Sequence, residues 1–253
     1  MNHRTGILAF IIILLLCSPI SAQILNTLRG WSDVDEGWSV VLDGMFSLTR
    51  GNYHHMDMSA SGVVQFLTER NRFRFMVAES FYSIEDDKVA EDFTVHLRHN
   101  YRLTDVFATL LFAQHQYKPY QCLQSRSLLG GGIRADILRT NALDVAAGAS
   151  VMAEWVAYTE GVPEEDQTNA RGSFFLSLVW RPVDRFTVDL SGFYQPLLPD
   201  FNEPLLMSSF SVQTNITGGL SLITGLDLDY DHSPVEGVER TDIELKSGLR
   251  FRL

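Results

Sequence analysis

The most constraining feature of the sequence is a two-residue alternation of apolar and polar side chains that recurs from Trp38 to the C-terminus. It is clearest in the last segment, whose apolar positions are Ile243, Leu245, Leu249, Phe251 and Leu253. A period of two places successive side chains on opposite faces of a β-strand, whereas a helix requires a period near 3.6. The chain is therefore predicted to be all-β, with strands that have one apolar and one polar face.

Twelve segments carry this pattern, and the connections between them alternate in length. The predicted strands are 38–49, 54–67, 72–83, 92–101, 105–117, 122–138, 143–158, 172–181, 186–195, 204–215, 218–231 and 240–253. Short turns such as 102–104 alternate with longer, mostly acidic loops such as 159–171. An even number of strands joined in this way is typical of an antiparallel up-and-down transmembrane β-barrel. A closed sheet leaves no edge, which matters because hydrocarbon offers no hydrogen bonds.

A soluble β-barrel shows the same alternation, so the two alternatives differ in the chemistry of their faces. Aromatic residues lie near both ends of the predicted strands, for example Trp38 and Phe251 near the short turns and Tyr117 and Trp155 near the long loops. Two aromatic belts suit two membrane interfaces. The polar face carries many ions, too many for a dry core. We predict a membrane barrel with a polar lumen, and a soluble periplasmic binding barrel is the alternative.

The N-terminus has the pattern of an export signal. Arg4 precedes ten apolar residues at 7–16, and Ser21-Ala22 offers small residues for cleavage. Ten apolar residues are too few for a spanning helix, which needs about 20. We therefore predict a signal peptide at 1–22, an N-terminal periplasmic segment at 23–37 and an outer-membrane barrel at 38–253.

Charge and cysteine content exclude several functions. Acidic residues outnumber basic ones by 31 to 20, and the net charge of −11 would repel a nucleic-acid backbone. The two cysteines, Cys17 and Cys122, are too few for a disulfide framework or a four-cysteine zinc site. We expect no nucleic-acid partner, no cofactor and no metal.

Two stretches resemble a known family. Residues 42–59 contain Thr49-Arg50-Gly51-Asn52 at the first hairpin, and residues 97–134 contain a Tyr101-Arg102-Leu103-Thr104 turn. They resemble the salt-induced outer-membrane proteins called YdiY-like, the family known as domain of unknown function 481. The resemblance would extend over 38–253, and it implies a Gram-negative outer-membrane barrel, a link to salt or osmotic stress and no established chemistry.

The final strand also resembles the signal that the outer-membrane barrel assembly machinery recognises, although it ends in Leu253 rather than an aromatic residue. We therefore expect this machinery and outer-membrane lipid as partners, and a monomeric protein.

Charged residues on the polar face divide between the two ends of the predicted lumen. The acidic lumen cluster, predicted near the long loops, comprises Asp227, Asp229, Asp231, Asp242 and Glu244. Asp43 and Glu154 are also predicted in this half. Close carboxylates retain protons, bind a hard cation such as calcium, or attract cations from across the lumen. The basic residues predicted near the short turns are Arg74, Arg98, Arg181, Arg250 and Arg252.

Sequence signals for catalysis are weak. A serine hydrolase on a barrel wall can place histidine and serine two residues apart on one strand face, and no histidine after residue 22 has a serine at that spacing. Gly130-Gly131-Gly132 lies within a strand pattern, which favours close packing over a phosphate loop. We predict a non-enzymatic barrel that acts as a narrow passive pore or a structural envelope component. The alternative is a lipid-modifying enzyme, which needs serine and histidine on one lipid-facing edge.

Overall fold

Each alternating segment of the sequence forms a strand in the computed structural model, which describes residues 36–49, 55–84, 87–198 and 200–253. The strands are β1 (Gly37–Thr49), β2 (His55–Leu67), β3 (Asn71–Ile84), β4 (Asp87–Arg102), β5 (Phe107–Lys118), β6 (Leu123–Arg139), β7 (Leu143–Tyr158), β8 (Gln167–Val183), β9 (Phe186–Leu198), β10 (Pro204–Asn215), β11 (Leu220–Asp231) and β12 (Thr241–Arg252). A short 3₁₀ turn at Pro119–Gln121 follows β5. Within the described ranges, no helix is long and apolar enough to cross a bilayer.

Each strand pairs antiparallel with its neighbour in sequence, and the sheet closes where β1 meets β12. At this seam Val41 lies opposite Arg252 and Met45 opposite Gly248. The closed order leaves the described sheet without an open edge. The predicted fold, an all-β antiparallel up-and-down barrel of twelve strands, is confirmed.

The alternation of side chains decides which residues face the interior. On β3, Arg74, Met76 and Ala78 point inward and are buried, whereas Phe73 and Phe75 point outward and are exposed. The same parity continues through the register of the neighbouring strands, where Arg74 lies opposite Arg98. The outer face is therefore an apolar band, and the charged residues of the strands lie mostly in the lumen.

Several strands extend further toward the long loops than the sequence pattern predicts. β4 begins at Asp87 rather than at residue 92, and β8 begins at Gln167 rather than at residue 172. Beyond the apolar band neither face of a strand needs apolar residues, so the alternation ends while the backbone ladder continues. Arg171, predicted in a loop, consequently lies in β8 opposite Met152.

The predicted signal peptide at 1–22 lies outside the described residues, as does nearly all of the predicted segment at 23–37. The first strand begins at Gly37, one residue before the predicted start of the barrel.

Two glycines allow aromatic rings to lie flat against the inner wall. A Cβ atom at Gly130 would lie 2.4 Å from Cζ of Phe112, and one at Gly148 would lie 2.2 Å from Cε1 of Phe175. Any larger residue at either position would therefore displace a ring. The predicted role of Gly130 in close packing matches this geometry.

Candidate functional site

The acidic lumen cluster lies at the end of the barrel that carries the long loops. Its members alternate on two paired strands, so all of them have the inward parity, and the register places Asp227 opposite Glu244 and Asp229 opposite Asp242. Asp227, Asp229 and Glu244 are buried. The structure therefore brings together the five carboxylates that the sequence analysis grouped.

Lysine side chains lie near this cluster, one on the same wall of the barrel and one on the opposite wall. Lys246 forms an ion pair with Glu244 two residues along β12. Lys118, at the end of β5, is only 2% exposed and lies within electrostatic range of Asp229 and Asp92. Gln121 extends the contact across the mouth, because its Nε2 donates a hydrogen bond to Oδ2 of Asp242 at 3.3 Å. A positively charged side chain from the opposite wall was one of the three outcomes that the sequence left open for the clustered carboxylates.

A second ionic centre lies on the other side of the lumen from the acidic lumen cluster. Glu154 is 1% exposed, and it accepts hydrogen bonds from Nε of Arg126 at 2.7 Å and Nε of Arg171 at 2.6 Å. Asn169 also donates to Glu154, at 3.2 Å. Sequence reasoning missed this centre because it placed Arg171 in a loop. The inward parity that Asn169 and Arg171 share with Phe175 was the signal that could have found it.

These groups surround a cavity of about 170 Å³ under the long loops. Ionic side chains line it on two sides. On the β5–β8 side they are Lys118, Arg126, Glu154 and Arg171, and on the β11–β12 side they include Asp229 and Asp242. The loop between β11 and β12 covers it, because Val235 turns inward and is 6% exposed. This loop is tied to its neighbour across the mouth by the backbone N–H of Glu236, which donates to Oε1 of Glu164 at 3.0 Å. The cavity is large enough for a few waters or a small polar solute.

No metal centre emerges from these carboxylates. Across the residues that the structure describes, no group of three or more histidine, cysteine, aspartate or glutamate side chains could hold a metal ion.

The basic residues occupy the other half of the lumen. Arg74 and Arg98 lie side by side on β3 and β4 and are buried, and Arg181 pairs with Asp144 at 2.8 Å. Arg252 is half-buried at the end of β12 and has the inward parity. Arg250 is buried and contacts Asp43. The five predicted arginines thus share the short-turn half of the interior.

The position of Asp43 differs from the prediction, which placed this residue in the acidic half. The seam between β1 and β12 aligns Asp43 with Arg250, so it neutralises a basic residue instead of joining the acidic lumen cluster. The stagger of the closing strands, which no local pattern encodes, sets this pairing.

An apolar layer on β5–β9 lines one side of the lumen between the two charged halves. The layer is defined by the inward side chains Leu110, Phe112, Leu128, Met152 and Phe175, and Phe193 packs against it. His96 lies at this height with Nδ1 2.8 Å from Oε1 of Gln114. The cavity that remains there is about 40 Å³, which is room for a few waters at about 10–15 Å³ each. The lumen is therefore less uniformly polar than predicted and is narrow at its middle.

Comparisons with known proteins agree with this architecture. A family model described as "Protein of unknown function, DUF481" matches residues 44–252. Among curated proteins, none matches the sequence. The fold is similar to that of the NanC porin, with a TM-score of 0.54 and 13% identity over 85% of this chain and 100% of the porin. It is also similar to the COG4313 outer membrane channel from Pseudomonas putida F1, with a TM-score of 0.51 and 9% identity over 88% of this chain and 97% of the channel. At such identities the likeness concerns the fold alone.

Proposed function

This chain belongs to the DUF481 family of proteins of unknown function, and we propose that it is an integral β-barrel of the cell outer membrane with a narrow passive pore. Short turns would then face the periplasm and long loops the exterior, as is usual for such barrels. The salt or osmotic role is part of the proposal and rests on the family resemblance.

The main support for the membrane location is the apolar outer face. Leu129, Val151 and Leu176 all point away from the lumen and are more than half exposed. A soluble barrel would place such residues inside, because an apolar band of this extent is costly in water. Aromatic residues, including Trp38 at one end and Trp155 at the other, border the band as interfacial belts do.

The charge distribution of the lumen supports a pore for small ions. An acidic outer mouth concentrates cations, and the apolar layer limits the size of what passes. The layer would admit a solute only when its side chains move, because the cavity at that height is about 40 Å³. The same narrow layer favours the second candidate, a structural envelope component that conducts nothing.

Two experiments test this proposal. The native protein should be found in the outer-membrane fraction and, after detergent extraction, should migrate differently on a gel before and after boiling. Recovery in the aqueous periplasmic fraction would contradict the membrane location. If the barrel is a pore, we expect small, stepwise conductance in planar bilayers. The absence of conductance in every condition would support the structural role.

We further propose that the barrel is a monomer inserted by the outer-membrane assembly machinery and surrounded by lipid. The alternating strand at Thr241–Arg252 supports recognition by this machinery. Crosslinking in intact cells, followed by mass measurement, would test both parts of this proposal.

A further inference from the structure

A histidine and a serine meet on the outer face of the barrel wall. His115 on β5 lies directly opposite Ser127 on β6, and His115 Nδ1 is 2.9 Å from Ser127 Oγ. Their neighbours Gln116 and Arg126 are buried in the lumen, so the alternation directs His115 and Ser127 outward. This is the arrangement in which an imidazole can take a proton from a serine hydroxyl.

The pair lies at the depth of an aromatic belt. Ser127 is opposite Trp155 on β7, and Tyr117 follows His115 on the same face two residues closer to the long loops. Both aromatic side chains are exposed on the outer wall. Tryptophan and tyrosine at such positions mark the interface between hydrocarbon and headgroups, where the ester bonds of lipids lie. On the proposed orientation, this is the outer leaflet.

An apolar groove begins beside the pair and continues toward the middle of the barrel. It has a volume of about 700 Å³. Its lining includes Ala113 and Ala153, whose side chains are small, and Gly131, which has none, beside bulkier neighbours such as Leu129 and Val151. Ala113 and Leu129 lie two residues from His115 and Ser127 on the same strand faces. An acyl chain in this groove would place its ester near the pair.

We propose that His115 and Ser127 form a catalytic pair that hydrolyses acyl esters of outer-leaflet lipids. In the first step Ser127 Oγ bonds to the acyl carbonyl carbon, its proton passes to His115, and the ester C–O bond breaks as the leaving alkoxide takes that proton. In the second step water attacks the acyl-serine, His115 receives and returns the proton, and a fatty acid and free Ser127 are released. The net change is hydrolysis of one ester by one interfacial water.

The backbone near the pair is irregular. The ladder of β6 with β7 shifts register between Leu123 and Ser125, and its ladder with β5 shifts register between Gln116 and Lys118. Bulges leave a residue out of the regular hydrogen-bond pattern and are common next to active sites. In the proposed reaction, backbone amides left out of the regular ladder by these shifts would stabilise the negative charge on the carbonyl oxygen.

The competing explanation is that the two polar side chains only satisfy each other at an apolar surface. The barrel contains such a pair elsewhere, because Thr224 and Ser247 lie 2.9 Å apart on the outer face of β11 and β12. That pair has a hydroxyl but no base, so it provides a matched control. Sequence reasoning missed His115 and Ser127 because they are twelve positions apart on different strands, and the proposal opposes the prediction that the chain is not an enzyme.

An alkyl fluorophosphonate probe tests the proposal on the full chain, extracted from outer membranes in mild detergent. The wild-type protein should be labelled at Ser127, as mapped by peptide mass spectrometry, and Ser127→Ala should lose the label. His115→Gln should lower the labelling rate by roughly 100-fold or more, the usual contribution of a general base. Ser247→Ala should keep the wild-type rate. Gel migration before and after boiling checks that each variant is folded.

The second measurement uses mixed micelles of detergent and phosphatidylethanolamine. Wild type and Ser247→Ala should release lysophospholipid and fatty acid, and the two variants of the catalytic pair should not. The proposal is overturned if folded wild-type protein is not labelled at Ser127, if His115→Gln is labelled at the wild-type rate, or if no lysophospholipid appears. This proposal rests on the proposed membrane location. Labelling and lipid hydrolysis are measured independently of fractionation and conductance, so the catalytic proposal and the proposed pore function can each fail without the other.

Discussion

Arg250 and Asp43 join the last strand of the barrel to the first by two parallel hydrogen bonds. Nε of Arg250 lies 2.7 Å from Oδ1 of Asp43, and its Nη2 lies 2.6 Å from Oδ2. Gln213 adds a contact of 3.0 Å to Nη1 from β10. A bidentate pair of this kind is geometrically specific, and here it spans the seam on which closure of the sheet depends.

Asp43→Asn should therefore destabilise the folded barrel. It removes the main partner of a buried ion pair and leaves the guanidinium only the weaker attraction of Asp189, so the loss should approach the roughly 3 to 5 kcal/mol that is typical of a broken buried pair. Urea unfolding in lipid vesicles measures the loss. Arg139→Gln is the control, because its ion pair with Asp136 is half exposed and such surface pairs contribute about 0 to 1 kcal/mol. Equal losses of unfolding free energy in the two variants would show that the pair at the seam stabilises the barrel no more than a surface ion pair does.

Leu245→Arg should hinder insertion of the barrel. Leu245 has the outward parity on β12 and lies opposite Leu226, so the substitution places a charge against lipid, which costs roughly 2 to 4 kcal/mol near the midplane. The yield of folded protein in lipid vesicles gives the readout. Leu245→Ala removes apolar area without adding charge and should fold with a much higher yield. The assignment of this face to lipid fails if the two yields agree.

Phe175→Ala should raise the single-channel conductance several-fold. Phe175 is buried in the apolar layer, where its ring covers Gly148 and packs 5.8 Å from the ring of Phe193. Truncation widens the narrowest part of the lumen, and it also costs about 3 to 5 kcal/mol of stability. Phe174→Ala is the matched control, because this neighbour points outward. An unchanged conductance in Phe175→Ala would show that the constriction is not at Phe175.

If the pore conducts, it should show weak cation selectivity at low salt. The acidic lumen cluster lies at the outer mouth, and its field is screened as the Debye length falls to ~3 Å at 1 M salt. Asp229→Asn combined with Asp242→Asn should shift the reversal potential under a salt gradient toward zero. Glu79→Gln, which changes an exposed carboxylate with outward parity on β3, should leave it unaltered. A preference for anions would contradict the charge map.

The strand count and the facing of most side chains could be predicted from the sequence alone. In a β-strand the facing of a residue depends only on its parity within the strand. The parity of Asp227 and Asp229, read from a dozen residues, therefore placed both in the lumen together with Glu244 of the next strand. Hairpin neighbours are predictable in the same way, because a short connection fixes their register.

Contacts across the lumen and across the closing seam depend on the folded sheet as a whole. Closure with a particular stagger brings Asp43 to Arg250 and Lys118 toward Asp229, and this stagger belongs to the whole sheet, not to any local stretch. Arg171 reaches Glu154 because the β8 ladder continues where the apolar alternation has already ended. His115 and Ser127 belong to one hairpin, but its ladder shifts register between Gln116 and Lys118, so their pairing could not be counted from the turn.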